Sequence, residues 1–146
     1  YTIKEEKRDM MIRNIIKDQF FLKQKSKDAT PEDMNIVQDL LDTMNAYETC
    51  VGIAANMIGE LKNIIVVKDK KDDLVLINPK IIKTSLKTYN CQEGCLCHEG
   101  LKETKRYEKI KVEYFDQHFH RKIKTFDQQT GQIIQHEIDH CHGVLI

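Results

Sequence analysis

Apolar side chains recur at threes and fours over residues 2–22, at Ile3, Met10, Ile12, Ile15, Ile16 and Phe20, which predicts an opening helix. Residues 23–29 are a polar connection. Thr30-Pro31-Glu32-Asp33 then reads as a helix start, with Thr as N-cap, Pro at the first helical position and acids in the first turn. That helix is expected to run to about Ala46 and to bury Met34, Val37, Leu40, Leu41 and Met44. After a small-residue segment at 50–59, the β-branched run 63–68 predicts a buried strand, residues 70–73 a turn, and residues 74–77 a second strand ended by Asn78-Pro79. Residues 81–89 form a weaker strand. Beyond a glycine-punctuated stretch at 93–100, Ile110, Val112 and Tyr114 alternate with Lys109, Lys111 and Glu113, the mark of a sheet with one wet face. Residues 116–118 turn the chain into the other arm of a hairpin at 119–125. Asp127 is placed to cap a last helix that Gly143 closes. The expected class is α+β, with N-terminal helices and antiparallel strands packed around a C-terminal helix, in one domain over residues 1–146.

Composition narrows the function more than the fold. The 23 acidic and 23 basic side chains cancel and are interspersed, so no field draws nucleic acid or an anionic membrane. No stretch reaches the ~18 apolar residues of a membrane span, and residues 1–9 are too charged for a signal peptide, which points to the cytoplasm. Five cysteines, three of them at 91, 95 and 97, then suggest thiols and metal ligands rather than a disulfide framework.

The densest chemistry lies in the last helix, at Gln135-His136-Glu137-Ile138-Asp139-His140. Two histidines four apart on a helix stand on one face, where one metal ion can bridge them. In H-E-x-x-H the intervening carboxylate is ordinarily not a ligand; it exchanges protons with a water that the metal activates. A charged surface helix with an accidental pair is the competing reading. Ile133, Ile134, Ile138 and Cys141 surround the polar positions, however, and a buried pair of histidines needs partners of the kind a metal supplies. A catalytic metal commonly takes a third protein ligand. The candidate lies in Glu93-Gly94-Cys95-Leu96-Cys97, where the competing reading of Cys95 is a buried free thiol.

Glu-Gly-Cys-Leu at 93–96, followed by Gln-His-Glu-Ile-Asp-His at 135–140, resembles the peptide deformylase family. That family's G-x-G-x-A-A-x-Q signature falls on residues 50–57, and Asn78-Pro79 after a strand is similar too. The resemblance implies that Cys95, His136 and His140 hold the metal, that Glu137 is general acid and base, and that the Leu96 N–H helps to bind the oxyanion. It implies ferrous iron in the cell, replaceable by zinc, nickel or cobalt, and hydrolysis of the N-formyl group on the formyl-methionine end of new polypeptides at the ribosome. Gly52, Ile53, Leu96 and Ile133 are candidates for the substrate pocket, with ordinary core packing the competing reading of each isoleucine.

Cys97 stands where the family's second motif usually has serine, a modest change, and the first signature departs at two positions: Cys50 replaces the first glycine, and Met57 replaces the glutamine that in the family donates to the substrate carbonyl oxygen. A thioether cannot donate, and one lost oxyanion donor typically costs on the order of 10²–10³ in rate. Asn56 carries an amide that a local shift would bring to the same work. The departures favour one rival, a deformylase-like protein that keeps its metal and has weak or lost catalysis. A zinc peptidase is the other rival, and it would need its third ligand downstream, where His142 is the sole candidate. A structural zinc site at Cys91, Cys95 and Cys97 leaves the paired histidines unexplained.

Overall fold

A computed structural model describes residues 11–146. The early apolar positions Ile3 and Met10 lie outside the described residues. From residue 11 onward the expected first helix shrinks to one turn, α1 (Gln19–Leu22), capped by the Asp18 carboxylate accepting from the Phe20 N–H. The reason is visible in the backbone partners. The N–H groups of Met11, Arg13 and Ile16 donate to Asp42 Oδ2, Thr43 Oγ1 and the Met57 carbonyl at 3.1, 2.9 and 2.8 Å, so distant acceptors take the place of an i−4 ladder. The apolar spacing is spent on covering the core in extended form.

The second helix, α2 (Met34–Ala46), follows a 3-10 turn at Pro31–Asp33 whose Thr30 and Asp33 close a reciprocal capping box. It buries Ile36, Val37, Leu40, Thr43 and Met44, while Met34 and Leu41 sit half-buried at its edge. β1 (Gly52–Ala54) and a 3-10 turn at Ala55–Ile58 come next, then β2 (Ile64–Asp69), whose Ile64 to Val67 run is buried throughout. β2 touches both α2 and the last helix, which explains its unbroken apolar sequence.

Asn78-Pro79 does not end the next strand. β3 runs Asp72–Thr84 straight through the pair, with a break in register between Ile77 and Lys80. Asn78 takes a left-handed conformation, φ 52°, and its side-chain amide bridges the Ala29 N–H and C=O at 2.7 and 3.1 Å. Pro79, lacking an N–H, is tolerated at that bulge. The expected strand at 81–89 is thereby divided between the end of β3 and the start of β4 (Thr88–Cys95).

β4 and β5 (His98–Tyr107) form a two-stranded sheet of their own, joined by a two-residue turn at Leu96 and Cys97. β6 (Lys109–Phe115) and β7 (Arg121–Asp127) make the hairpin expected from alternation. They complete a five-stranded sheet in the order β1-β2-β3-β6-β7, antiparallel throughout. α3 (Gln128–Cys141) packs on β1, β2 and β7 and reaches β5. Asp127 sits at its N-cap without making a side-chain cap, and Gly143, φ 77°, follows its end as expected. Antiparallel strands packed around a C-terminal helix, with helices before them, define the α+β class.

Candidate metal centre

α3 brings its chemistry inward. His136, Glu137 and His140 are buried, His140 to 1% exposure, and the two Nε2 atoms stand 3.2 Å apart. The β4–β5 hairpin delivers the third group from the other side. Cys95 ends β4, and its Sγ lies 3.3 Å from His140 Nε2, with all three candidate ligand atoms within 4.8 Å of one another. Cys91 turns toward Glu93 Oε2 at 3.6 Å, and His142 is exposed at the helix end; neither belongs to this group.

A buried carboxylate orients the first imidazole. Glu93 Oε1 meets His136 Nδ1 at 2.7 Å, so Nδ1 carries a proton and Nε2 is the nitrogen turned to Cys95 and His140. Glu93 is in turn gripped by Arg106, whose Nε and one terminal nitrogen donate to its two oxygens at 2.9 and 2.7 Å. The other terminal nitrogen of Arg106 reaches Asp139 Oδ2 at 2.6 Å, closing the network onto α3. Gln135 adds a second clamp: its amide exchanges hydrogen bonds with the Tyr107 N–H and C=O, both at 2.9 Å.

Burial alone would raise the Glu93 carboxyl, but His136 and Arg106 hold it well below the usual carboxylate range. The Cys95 thiol is drawn down to about 2, first by the neighbouring Cys97 thiol and then by the two histidines. Burial opposes charge on His136, yet Cys95 and Glu93 push it up to about 10. Glu137 goes the other way. Burial lifts its carboxyl to about 7, with both histidines offsetting part of the rise, and Oε1 has no hydrogen-bond partner among the described residues. A thiolate, two converging imidazole nitrogens and an orphaned carboxylate oxygen beside them fit a bound divalent metal ion and its water, the ion taking the place of a proton among the three ligand atoms.

A cavity of about 530 Å³ opens beside this group. Gly52, Leu96 and Ile133 line it, as does Cys50. Gly52 is close to Glu137 for a steric reason: a Cβ there would come within 2.6 Å of Ile133 Cγ2 and 3.0 Å of Glu137 Oε2. Ile53, in contrast, is fully buried in the core and turned away from the cavity, since successive strand side chains alternate. Asn56 and Met57 also lie outside the cavity lining. They sit in a 3-10 turn rather than extended backbone, and Asn56 Nδ2 donates to the His140 carbonyl at 2.9 Å. Met57 is 1% exposed, with its sulfur accepting from the Ala54 N–H at 3.4 Å.

Arg106 and the orienting role of Glu93 are not evident from the sequence pattern. For Arg106 the reason is its setting: it sits in 101–108, whose polar run lacks apolar alternation, and its burial follows from two acidic partners far apart in sequence.

An α+β chain with a Cys-His-His group on a helix and hairpin, and a buried acid beside it, is the architecture of a mononuclear metallohydrolase. A sequence model of polypeptide deformylase matches residues 12–146, so the chain belongs to the peptide deformylase family. A peptide deformylase of Clostridium beijerinckii is 48% identical over 137 residues, covering 93% of this chain and 100% of that one. Another, from Pseudothermotoga lettingae, is 34% identical over 128 residues, 85% of this chain and 74% of its own. Among solved structures, a peptide deformylase from Synechococcus elongatus in complex with actinonin superposes with a TM-score of 0.84. It is 33% identical and is matched over 92% of this chain and 75% of its own.

Proposed function

We propose that Cys95, His136 and His140 hold a single divalent metal ion and that Glu137 is the acid and base working beside it. The observation that carries this reading is the convergence of one sulfur and two ring nitrogens within 4.8 Å, next to a buried carboxyl. The chain is a peptide deformylase, which removes the N-formyl group from the formyl-methionine of nascent polypeptides and releases formate. Neither rival, a protein that has lost catalysis or a zinc peptidase, is favoured. The ligand set suits zinc and ferrous iron alike; we infer ferrous iron in the cell, with zinc, nickel or cobalt able to substitute.

When bound, such an ion polarises a carbonyl and lowers the pKa of a water molecule. The chain's own groups supply the rest. Glu137, held near neutrality, takes the proton as water attacks the formyl carbon and returns it to the departing amine. The Leu96 N–H, in the tight turn beside Cys95, is our candidate for the developing oxyanion. Gly52 leaves room for Glu137 and, with Ile133, forms a wall against the methionine side chain. We assign no substrate contact to Ile53, and none through a side chain to Asn56 or Met57. We place the reaction at chain ends leaving the ribosome, in the cytoplasm; among the described residues no helix is long and apolar enough to cross a membrane. The balanced surface charge supports no direct hold on nucleic acid.

Formate release from a formyl-methionyl tripeptide, measured on protein loaded with ferrous iron without oxygen, tests the reading. Turnover that disappears in Glu137→Ala supports it. Release no faster than in that variant sinks it.

A further inference from the structure

The helix face that turns to the cavity carries Gln129, Gln132, Ile133 and His136, at the 0, 3, 4, 7 spacing of one stripe. Two of these four positions are amides, and Gln92 adds a third from β4. A pocket built only to exclude water from a hydrocarbon would not be lined in this way.

Gln132 differs from the other two because its amide is held. Its Nε2 donates to Glu93 Oε2 at 3.0 Å, and its Oε1 accepts from the Tyr89 hydroxyl at 3.0 Å. Glu93, ionised and clasped by Arg106, can only accept, so the amide nitrogen must face it and the orientation is fixed by chemistry. One N–H and one oxygen lone pair of Gln132 are left over, on a half-buried residue at the cavity wall. A fixed amide needs no ordering when a ligand arrives, and a ligand that cannot bond to it strands both groups away from water.

We propose that Gln132 is a specificity-determining residue. It selects, among formylated chain ends, an unbranched first side chain that carries a hydrogen-bonding atom near its tip over a hydrocarbon of the same length. The thioether of methionine qualifies as a weak acceptor, the amide of glutamine as donor and acceptor, and norleucine as neither. The proposal rests on the deformylase reading above, and it concerns the side chain beyond the reacting amide.

The test compares kcat/KM for three tripeptides that differ only in the formylated residue: methionine, glutamine and norleucine. The ratio of glutamine to norleucine is the reading, because damage to the metal centre through Glu93 lowers all three alike and cancels. In Gln132→Leu the ratio falls about tenfold, the worth of one hydrogen bond near the upper end of its range. Tyr89→Phe, which frees the amide without removing it, shifts the ratio the same way by less. Dissociation constants of the same peptides in a Glu137→Ala background report the ratio without turnover. An unchanged ratio in both variants, or an equal fall for all three peptides, overturns the proposal while leaving the deformylase reading intact. No formate from any peptide, methionine included, overturns that reading and the proposal with it.

Discussion

The two segments that face each other across the cavity are built on opposite principles. On one side, Glu93, Cys95, Arg106, His136 and Asp139 form a buried polar network in which charged groups are matched at 2.6 to 2.9 Å. On the other, residues 50–57 have no ion pair among the described residues: besides the β1–β2 ladder and the Asn56 amide on the His140 carbonyl, their side chains are held by packing and by weak sulfur contacts, with the Cys50 thiol donating to the Gly52 carbonyl at 3.2 Å and the Met57 thioether accepting from Ala54. The polar side depends on direction and tolerates no missing partner, whereas the packed side depends on volume. Substitutions should therefore fail in different ways on the two sides.

Glu137 belongs to the polar side and gives the largest effect. Glu137→Ala removes the proton carrier but no ligand, so kcat is expected to fall by about 10²–10⁴ with the metal content unchanged. Metal analysis alongside formate kinetics checks both halves. A variant that loses its metal would make Glu137 part of the ligand group and not a neighbour of it.

Next comes the network behind the ligands. Arg106→Met leaves Glu93 buried with one cation fewer and exposes Asp139 to the same loss, a change of the class that costs about 3–5 kcal/mol. Chemical denaturation of the metal-free protein would read it as a lowered midpoint at constant m. A loss below about 1 kcal/mol would show that the pairs act as surface ion pairs do, and that the contrast between the two sides is overstated.

How far the sequence anticipated these two sides follows from the range of the contacts. The histidine pair and the N-cap at Thr30 are local patterns legible from spacing alone, whereas Cys95 stood out from a buried free thiol only through its resemblance to a family motif. The extended run at 11–18 was not, because its i, i+3 apolar spacing is as compatible with a strap pinned by Asp42, Thr43 and Met57 as with a helix. Nor was β5, whose polar face hides Arg106 among lysines and glutamates. The bulge at Asn78 depends on Ala29 being brought alongside by the fold, a contact 49 positions away in sequence.

Gly52 joins the two sides and comes third. Gly52→Ala forces a methyl group to within 2.6 Å of Ile133 Cγ2 and 3.0 Å of Glu137 Oε2, an overpacking of about 1–3 kcal/mol. If the packed side simply yields, stability falls and kcat holds. If Glu137 is displaced, kcat falls with it, and a matched pair of melting and kinetic measurements separates the two.

Met57→Gln has the smallest expected effect on turnover. The resemblance to the family's signature sets Met57 where it implies a glutamine that donates to the substrate, and on that ground alone the substitution should raise kcat. The folded chain gives the side chain a different setting: 1% exposure, no share in the cavity wall, and a sulfur already engaged by the Ala54 N–H. A glutamine there can keep that hydrogen bond through its carbonyl oxygen, but its amide nitrogen enters the core, at about 1–3 kcal/mol for an unpaired polar group. The expected outcome is a lower melting temperature with kcat changed by less than about twofold, since a rate effect needs a transition-state contact and the buried Met57 side chain lines no part of the cavity. A rise in kcat of tenfold or more at constant KM would mean that residue 57 reaches the substrate after all. The packed side of the cavity would then take part in the chemistry, and the division between the two sides would fail at that residue.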